Sequence, residues 1–117
     1  MKYFTREEFQ CSCGCGFDTV DYELAEVLDD VRTFFKSPVV INSGCRCISR
    51  NHTIGGSAKS QHLYGRAADI VVKDIDAELV YNYLDKKYPD TYGVGKYNGR
   101  THIDTRKHKA RWNKTEG

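Results

Sequence analysis

Two stretches of the chain concentrate the residues able to do chemistry: Ser60-Gln61-His62-Leu63-Tyr64-Gly65-Arg66-Ala67-Ala68-Asp69 and, later, His102-Ile103-Asp104. The imidazoles of His62 and His102 and the carboxylate of Asp69 form a ligand set suited to zinc. Three protein ligands leave a fourth position open for water, which distinguishes hydrolytic zinc sites from closed structural ones. His62 and Asp69 are seven residues apart with Gly65 between them, so they do not lie on consecutive turns of one helix as in an H-E-x-x-H site. A turn feeding a strand fits better, because Gly65 tolerates backbone angles closed to other residues. In Thr101-His102-Ile103-Asp104-Thr105 the strand period of two puts His102 and Asp104 on one face and Ile103 on the other.

Elements that would position these residues can be read from the periodicities. Leu24, Val27, Leu28, Val31 and Phe35 recur at helical spacing and predict a helix over Asp21–Lys36, with Asp18 and Asp21 near its start. Pro38–Asn42 reads as a short apolar strand, and Ala67–Lys73 as a buried strand that presents Asp69 among small neighbours. Leu79, Val80, Tyr83 and Leu84 predict a second helix over Asp76–Lys86, ended by Pro89-Asp90. Gly93–Tyr97 and Arg100–Thr105 read as a hairpin about Asn98-Gly99, a favoured type I′ pair. Thr5-Arg6-Glu7-Glu8 has the form of a capping box. The order helix, strand, strand, helix, hairpin lacks a regular βαβ alternation. It implies a single small α+β domain over 1–117, with helices on one face of a mostly antiparallel sheet.

The pattern S-x-H-x-x-G-x-A-x-D followed by H-x-D resembles the M15 family of zinc peptidases, which includes D-alanyl-D-alanine carboxypeptidases, dipeptidases and phage endolysins. The likeness runs from about Tyr3 to Arg106, and Ser43-Gly44-Cys45-Arg46, Ser60–Asp69 and Gly93–Asp104 carry it most specifically. It implies a zinc site in the cleft of a Hedgehog/D-Ala-D-Ala peptidase-like fold, with Zn2+ held by His62, Asp69 and His102. The activity implied is cleavage of a peptide bond in a cell-wall stem peptide or cross-link. The resemblance also implies that Arg46 binds substrate and stabilises the oxyanion, a role that suits a planar, permanently charged guanidinium. Ser60 would donate a hydrogen bond to substrate. Many members place an acid three residues before the last histidine ligand, where this chain has Gly99. Asp104, on the strand face of His102, is the candidate in its place, as general base or as orienter of a ligand. The alternative is a non-catalytic zinc-binding recognition domain on the same fold.

Bulk properties narrow the function classes. The chain has 117 residues and a net charge of +2, enough for one core and too little charge to argue for nucleic acid as a partner. No apolar run approaches a membrane span and the N-terminus lacks the apolar region of a secretory signal. The expectation is therefore a monomer made in the cytoplasm and acting on peptidoglycan at the wall or periplasm, reached through holin-type release or phage tail delivery if phage-encoded. Arg106, Lys107, Lys109, Arg111 and Lys114 cluster late and predict a basic tail that frays from about 106, or that is drawn to anionic polymers. Five cysteines, in Cys11-x-Cys13-x-Cys15 and Cys45-x-Cys47, leave three states open: free thiols, one disulfide between the clusters, or a second metal site. No G-x-S-x-G elbow supports a serine hydrolase.

Overall fold

The computed structural model describes residues 4, 6–9, 21–44 and 66–115. His62, Arg46, Ser60, Thr5 and all five cysteines lie outside the described residues, so the expectations placed on them meet no coordinates here. A short 3-10 turn (Arg6–Phe9) precedes helix α1 (Tyr22–Phe35), strand β1 (Val39–Ser43), strand β2 (Ala67–Val72), helix α2 (Ala77–Lys87) and strands β3 (Gly93–Tyr97), β4 (Arg100–Asp104) and β5 (Ala110–Asn113). The helices and first four strands fall within a residue or two of their expected limits.

The five strands form one sheet in the order β1-β2-β4-β3-β5. Every neighbouring pair is antiparallel except β3 with β5, which are parallel. Period two divides the sheet sharply. Ala68, Ile70, Val72, Val94, Thr101 and Ile103 point to one side, and there they meet Leu24, Val27, Leu28 and Val31 of α1 and Val80 and Leu84 of α2 in a continuous core. Complete burial of an aliphatic side chain of this size is worth about 1.5–3 kcal/mol, and this apolar face holds the helices on the sheet. Thr101 belongs to the same side and satisfies its hydroxyl by donating to the Ala77 carbonyl at 3.2 Å. The other face carries Asp69, His102, Asp104 and Trp112, and no described helix packs there.

Helix ends are fixed by specific contacts. Asp76 caps α2 by accepting from the Glu78 N–H at 3.2 Å, the usual work of an N-cap carboxylate. Asp21, at the N-cap of α1, makes no side-chain cap bond. Its carboxylate accepts from the Thr105 hydroxyl at 3.2 Å instead, tying the start of α1 to the end of β4. α1 ends at Lys36 in the left-handed conformation, φ 53°.

Two expectations are corrected. The Asn98-Gly99 turn is not type I′, which needs positive φ at both central residues. Among the described non-glycine residues only Lys36, Asp74 and Tyr92 have positive φ, and Gly99 alone in this turn does, at 76°, as at the third residue of a type II turn. The basic segment expected to fray from 106 is built into the fold through residue 115, the last described, and Arg106, Lys107 and Arg111 have internal partners. Arg106 binds Asp104, Lys107 reaches Glu23 at 2.9 Å, and residues 110–113 form the fifth strand. Arg111 does most of this work. Its guanidinium donates to Asp85 at 2.7 Å and to the carbonyls of Tyr88, Thr91, Tyr92 and Ala110 at 2.5–3.2 Å. β5 is thereby pinned to the end of α2 and to the loop entering β3.

Replacing Arg111 removes the donor these carbonyls share, although that of Tyr92 keeps the Ala110 N–H. Arg111→Met is expected to destabilise the fold by about 2–4 kcal/mol, and Arg111→Lys to restore only a fraction, since an ammonium cannot serve five acceptors in a plane. Urea unfolding of both variants measures this, and a loss under half a kilocalorie per mole for the Met variant would contradict the clamp.

Candidate metal centre

Asp69 and His102 are direct register partners across β2 and β4. Side chains opposed in an antiparallel pair project to the same side only a few ångströms apart, and here Asp69 Oδ1 lies 3.0 Å from His102 Nδ1. Each residue is 8% exposed, so the pair opens to solvent at its rim.

The other imidazole nitrogen is also held. His102 Nε2 lies 2.7 Å from Asp104 Oδ2, and Asp104 is fully buried. Burial by itself would raise the Asp104 pKa. Hydrogen bonds from His102 and Arg106, with their charges, overcome it and hold the carboxyl well below the usual carboxylate range. Arg106 approaches as a fork, Nε to Oδ1 and Nη2 to Oδ2, both at 2.7 Å. The Gly93 and Arg106 backbone N–H groups add bonds to Oδ1 at 3.1 and 3.2 Å. An ionised carboxylate only accepts, so Nε2 carries a proton. Burial likewise works to lower the His102 pKa, and the two flanking carboxylates outweigh it and raise it.

This arrangement fits a divalent metal. A metal-ligating histidine usually donates its second ring N–H to a carboxylate, which fixes tautomer and ring orientation. His102 has that partner on Nε2 and turns Nδ1 to a carboxylate ligand. Two ligand atoms each about 2.0–2.1 Å from a tetrahedral ion lie roughly 3.3 Å apart, close to the separation of Nδ1 and Oδ1. Among the described residues no group of three or more His, Cys, Asp or Glu side chains is arranged to hold a metal. A further ligand would come from outside them, where His62 lies.

Sequence reasoning selected Asp69, His102 and Asp104, and these three meet in one cluster. It missed Arg106, Trp112 and the two glycines that admit them. Gly93 pairs with Asp104, and Gly95 with His102, from the far side of β4. A Cβ on Gly93 would overlap the Asp104 carboxylate and the Arg106 guanidinium, and a Cβ on Gly95 would overlap the Trp112 indole. Trp112 thus crosses β3 where it has no side chain and reaches His102 on β4, while the guanidinium of Arg106, two residues beyond Asp104, occupies the space left open at Gly93. The legible signal was Gly-x-Gly inside a strand, which marks close approach of another group.

Tyr92 sets this strand's entry. It holds φ at 67°, uncommon for an aromatic residue. Its N–H donates to the Arg106 carbonyl at 3.2 Å, its carbonyl accepts from Ala110 at 3.0 Å, and its hydroxyl donates to Glu23 at 2.6 Å. These bonds fix the strained residue and aim the next N–H, that of Gly93, at Asp104.

Gly93→Ala tests the close approach. The added methyl is expected to cost about 1–3 kcal/mol, the usual penalty for overpacking a tight site, and to separate Arg106 from Asp104. Denaturant unfolding gives the first quantity and a crystal structure of the variant the second; an alanine accommodated without loss would contradict it.

No helix among the described residues is long and apolar enough to cross a membrane. A sequence model of the Peptidase M15 family matches residues 2–104. Over 33 residues the chain is 42% identical to the zinc D-Ala-D-Ala carboxypeptidase of Streptomyces albus G, a stretch that is 28% of this chain and 13% of that protein. The chain therefore spans only a small part of that relative, whereas the family match covers most of its own length, extends through β2 and β4, and includes Asp69, His102 and Asp104: the chain belongs to the Peptidase M15 family.

Proposed function

We propose that the chain is a zinc-dependent peptidoglycan peptidase of the D,D-carboxypeptidase or endopeptidase type, hydrolysing a peptide bond in the stem peptide or cross-link, with a phage lysin as one setting. The observation that carries this reading is the 3.0 Å opposition of Asp69 Oδ1 and His102 Nδ1, with Nε2 held by an ionised, buried carboxylate. The name of the Streptomyces relative supports both the zinc and the D-Ala-D-Ala substrate class.

In this reading His62, Asp69 and His102 hold Zn2+, which when bound supplies Lewis acidity toward the scissile carbonyl and makes water a nucleophile at neutral pH. His102 contributes Nδ1 because its Nε2 proton is committed to Asp104. Asp69 brings the negative charge that favours a cation at the rim. Arg46 is assigned to substrate, as a planar donor fork for a carboxylate or for developing oxyanion charge. Ser60 is assigned a hydrogen bond to the substrate peptide.

Of the two roles open to Asp104, its surroundings favour orienting His102 over acting as general base. Every group on its oxygens is a donor, and a buried carboxylate held far below its usual pKa is a poor proton acceptor. Those surroundings, with Gly99 where an acid often stands in this family, also favour keeping the second reading, a zinc-binding cell-wall recognition domain without catalysis.

Two experiments separate these readings. Purified protein is expected to bind one equivalent of zinc and to cleave defined muropeptides in a chelator-sensitive way, and His62→Ala or Asp69→Ala to lose both. Zinc binding without cleavage would move the chain to the recognition reading, and zinc retained in full by His62→Ala would remove the proposed ligand set. Asp104→Asn turns an amide NH2 toward groups that are themselves donors. It is expected to weaken zinc by roughly 10–100-fold, with the rate recovering in excess zinc; a lost rate at normal zinc content would return the base role to Asp104.

A further inference from the structure

The ring of Trp112 lies against the ring of His102, centroids 5.0 Å apart and planes at 47°. The contact follows from register. In the parallel pairing of β3 and β5, Trp112 stands beside Gly95, and Gly95 stands beside His102 in the antiparallel pairing of β3 and β4. The indole leans across the missing side chain of Gly95 onto the imidazole. It is anchored there at two points: Nε1 donates to the Tyr97 hydroxyl at 2.9 Å, and the Arg106 guanidinium carbon lies 5.4 Å from the indole centroid. The same guanidinium forks onto Asp104, so Arg106 touches both groups that flank the imidazole.

We propose that Trp112 is a positioning residue for the metal site, and that the segment from Arg106 to Asn113 completes the site by holding the His102 imidazole on its face while Asp104 holds its edge. The inference rests on the zinc reading of Asp69 and His102 given above. The two edge contacts of the ring, Nδ1 with Asp69 and Nε2 with Asp104, leave its plane able to tilt about the line joining the two nitrogens, which would turn Nδ1 away from the direction in which it would meet an ion. A flat, anchored ring against the imidazole removes this motion, so Nδ1 keeps its direction before any ion arrives. Both positioning side chains lie beyond residue 104, where the family match ends. The part of this site that orients the ligand histidine thus comes partly from residues the family match does not include.

The test uses the full chain and two readouts independent of turnover. One is zinc affinity, measured by competition with a chromophoric chelator. The other is the nitrogen-15 spectrum of the His102 ring in the zinc-free protein, including its Nε2–H resonance. Trp112→Leu is expected to keep the circular dichroism of a folded chain, to weaken zinc by roughly 10–100-fold, as outer partners of metal ligands generally do, and to broaden or lose the His102 ring signals. Trp112→Phe retains a flat ring and is expected to recover most of both. Tyr97→Phe keeps both rings and frees only the indole N–H; it is expected to lower affinity a few-fold and broaden the same signals, and it decides the matter if the Leu variant does not fold. A folded Trp112→Leu, or in its absence Tyr97→Phe, with wild-type affinity and a sharp Nε2–H resonance overturns the proposal. If the wild type binds no zinc, the zinc reading has failed on its own, and the ring spectra still decide whether Trp112 orients His102.

Discussion

A buried carboxylate, that of Asp104, receives donors from three directions, and the arrangement of the site depends on it. Its oxygens take the imidazole of the preceding same-face residue on β4, the forked guanidinium of Arg106 and two backbone N–H groups. A charge taken wholly out of water is costly unless such partners replace its hydration. These partners come from the first residue of β3, from β4 and from the segment after it. Satisfying Asp104 therefore requires the hairpin and the chain beyond it to be in register together, while the pairing of β2 with β4 brings Asp69 opposite His102.

Two glycines make this geometry possible. β3 separates β4 from β5, and an ordinary strand would raise side chains between the imidazole and anything on β5. Gly93 and Gly95 remove them on the site face only, while Val94 between them, pointing the other way, is fully buried in the core. One strand thus serves as core on one side and as an open gap on the other. Glycine weakens a strand interior, and here the surrounding bonds offset that cost: Arg111 pins β5 to α2, and Tyr92 is held at both its backbone groups.

The division of labour between sheet faces explains how so small a chain carries a polar cluster. Among the described residues the large aliphatic side chains of the core lie on the side covered by α1 and α2, and the opposite side carries charged and aromatic groups that satisfy one another. Salt links such as Lys107 with Glu23 are exposed and contribute little on their own. Their consequence is conformational, because they hold the chain after β4 against the body of the fold and keep Arg106 and Trp112 in reach of Asp104 and His102.

The sequence by itself determined the helices, the first four strands and the assignment of His102 and Asp104 to one face. These are local matters of periodicity, and alternation within Thr101–Thr105 needs no partner to be read. It also brought out Asp69 and the family likeness, through residue types at fixed spacing. Only the tertiary structure decided which nitrogen of His102 faces Asp69, that Asp104 is enclosed by donors, and that residues 110–113 form a strand parallel to β3. Each depends on pairing between segments distant in sequence, and register across strands is not written in either strand alone. The late basic residues read as a solvated tail because their charges were visible and their partners, Glu23, Asp85 and Asp104, were not; folding brought Lys107, Arg111 and Arg106 to these carboxylates and so made a site wall of what looked like a tail.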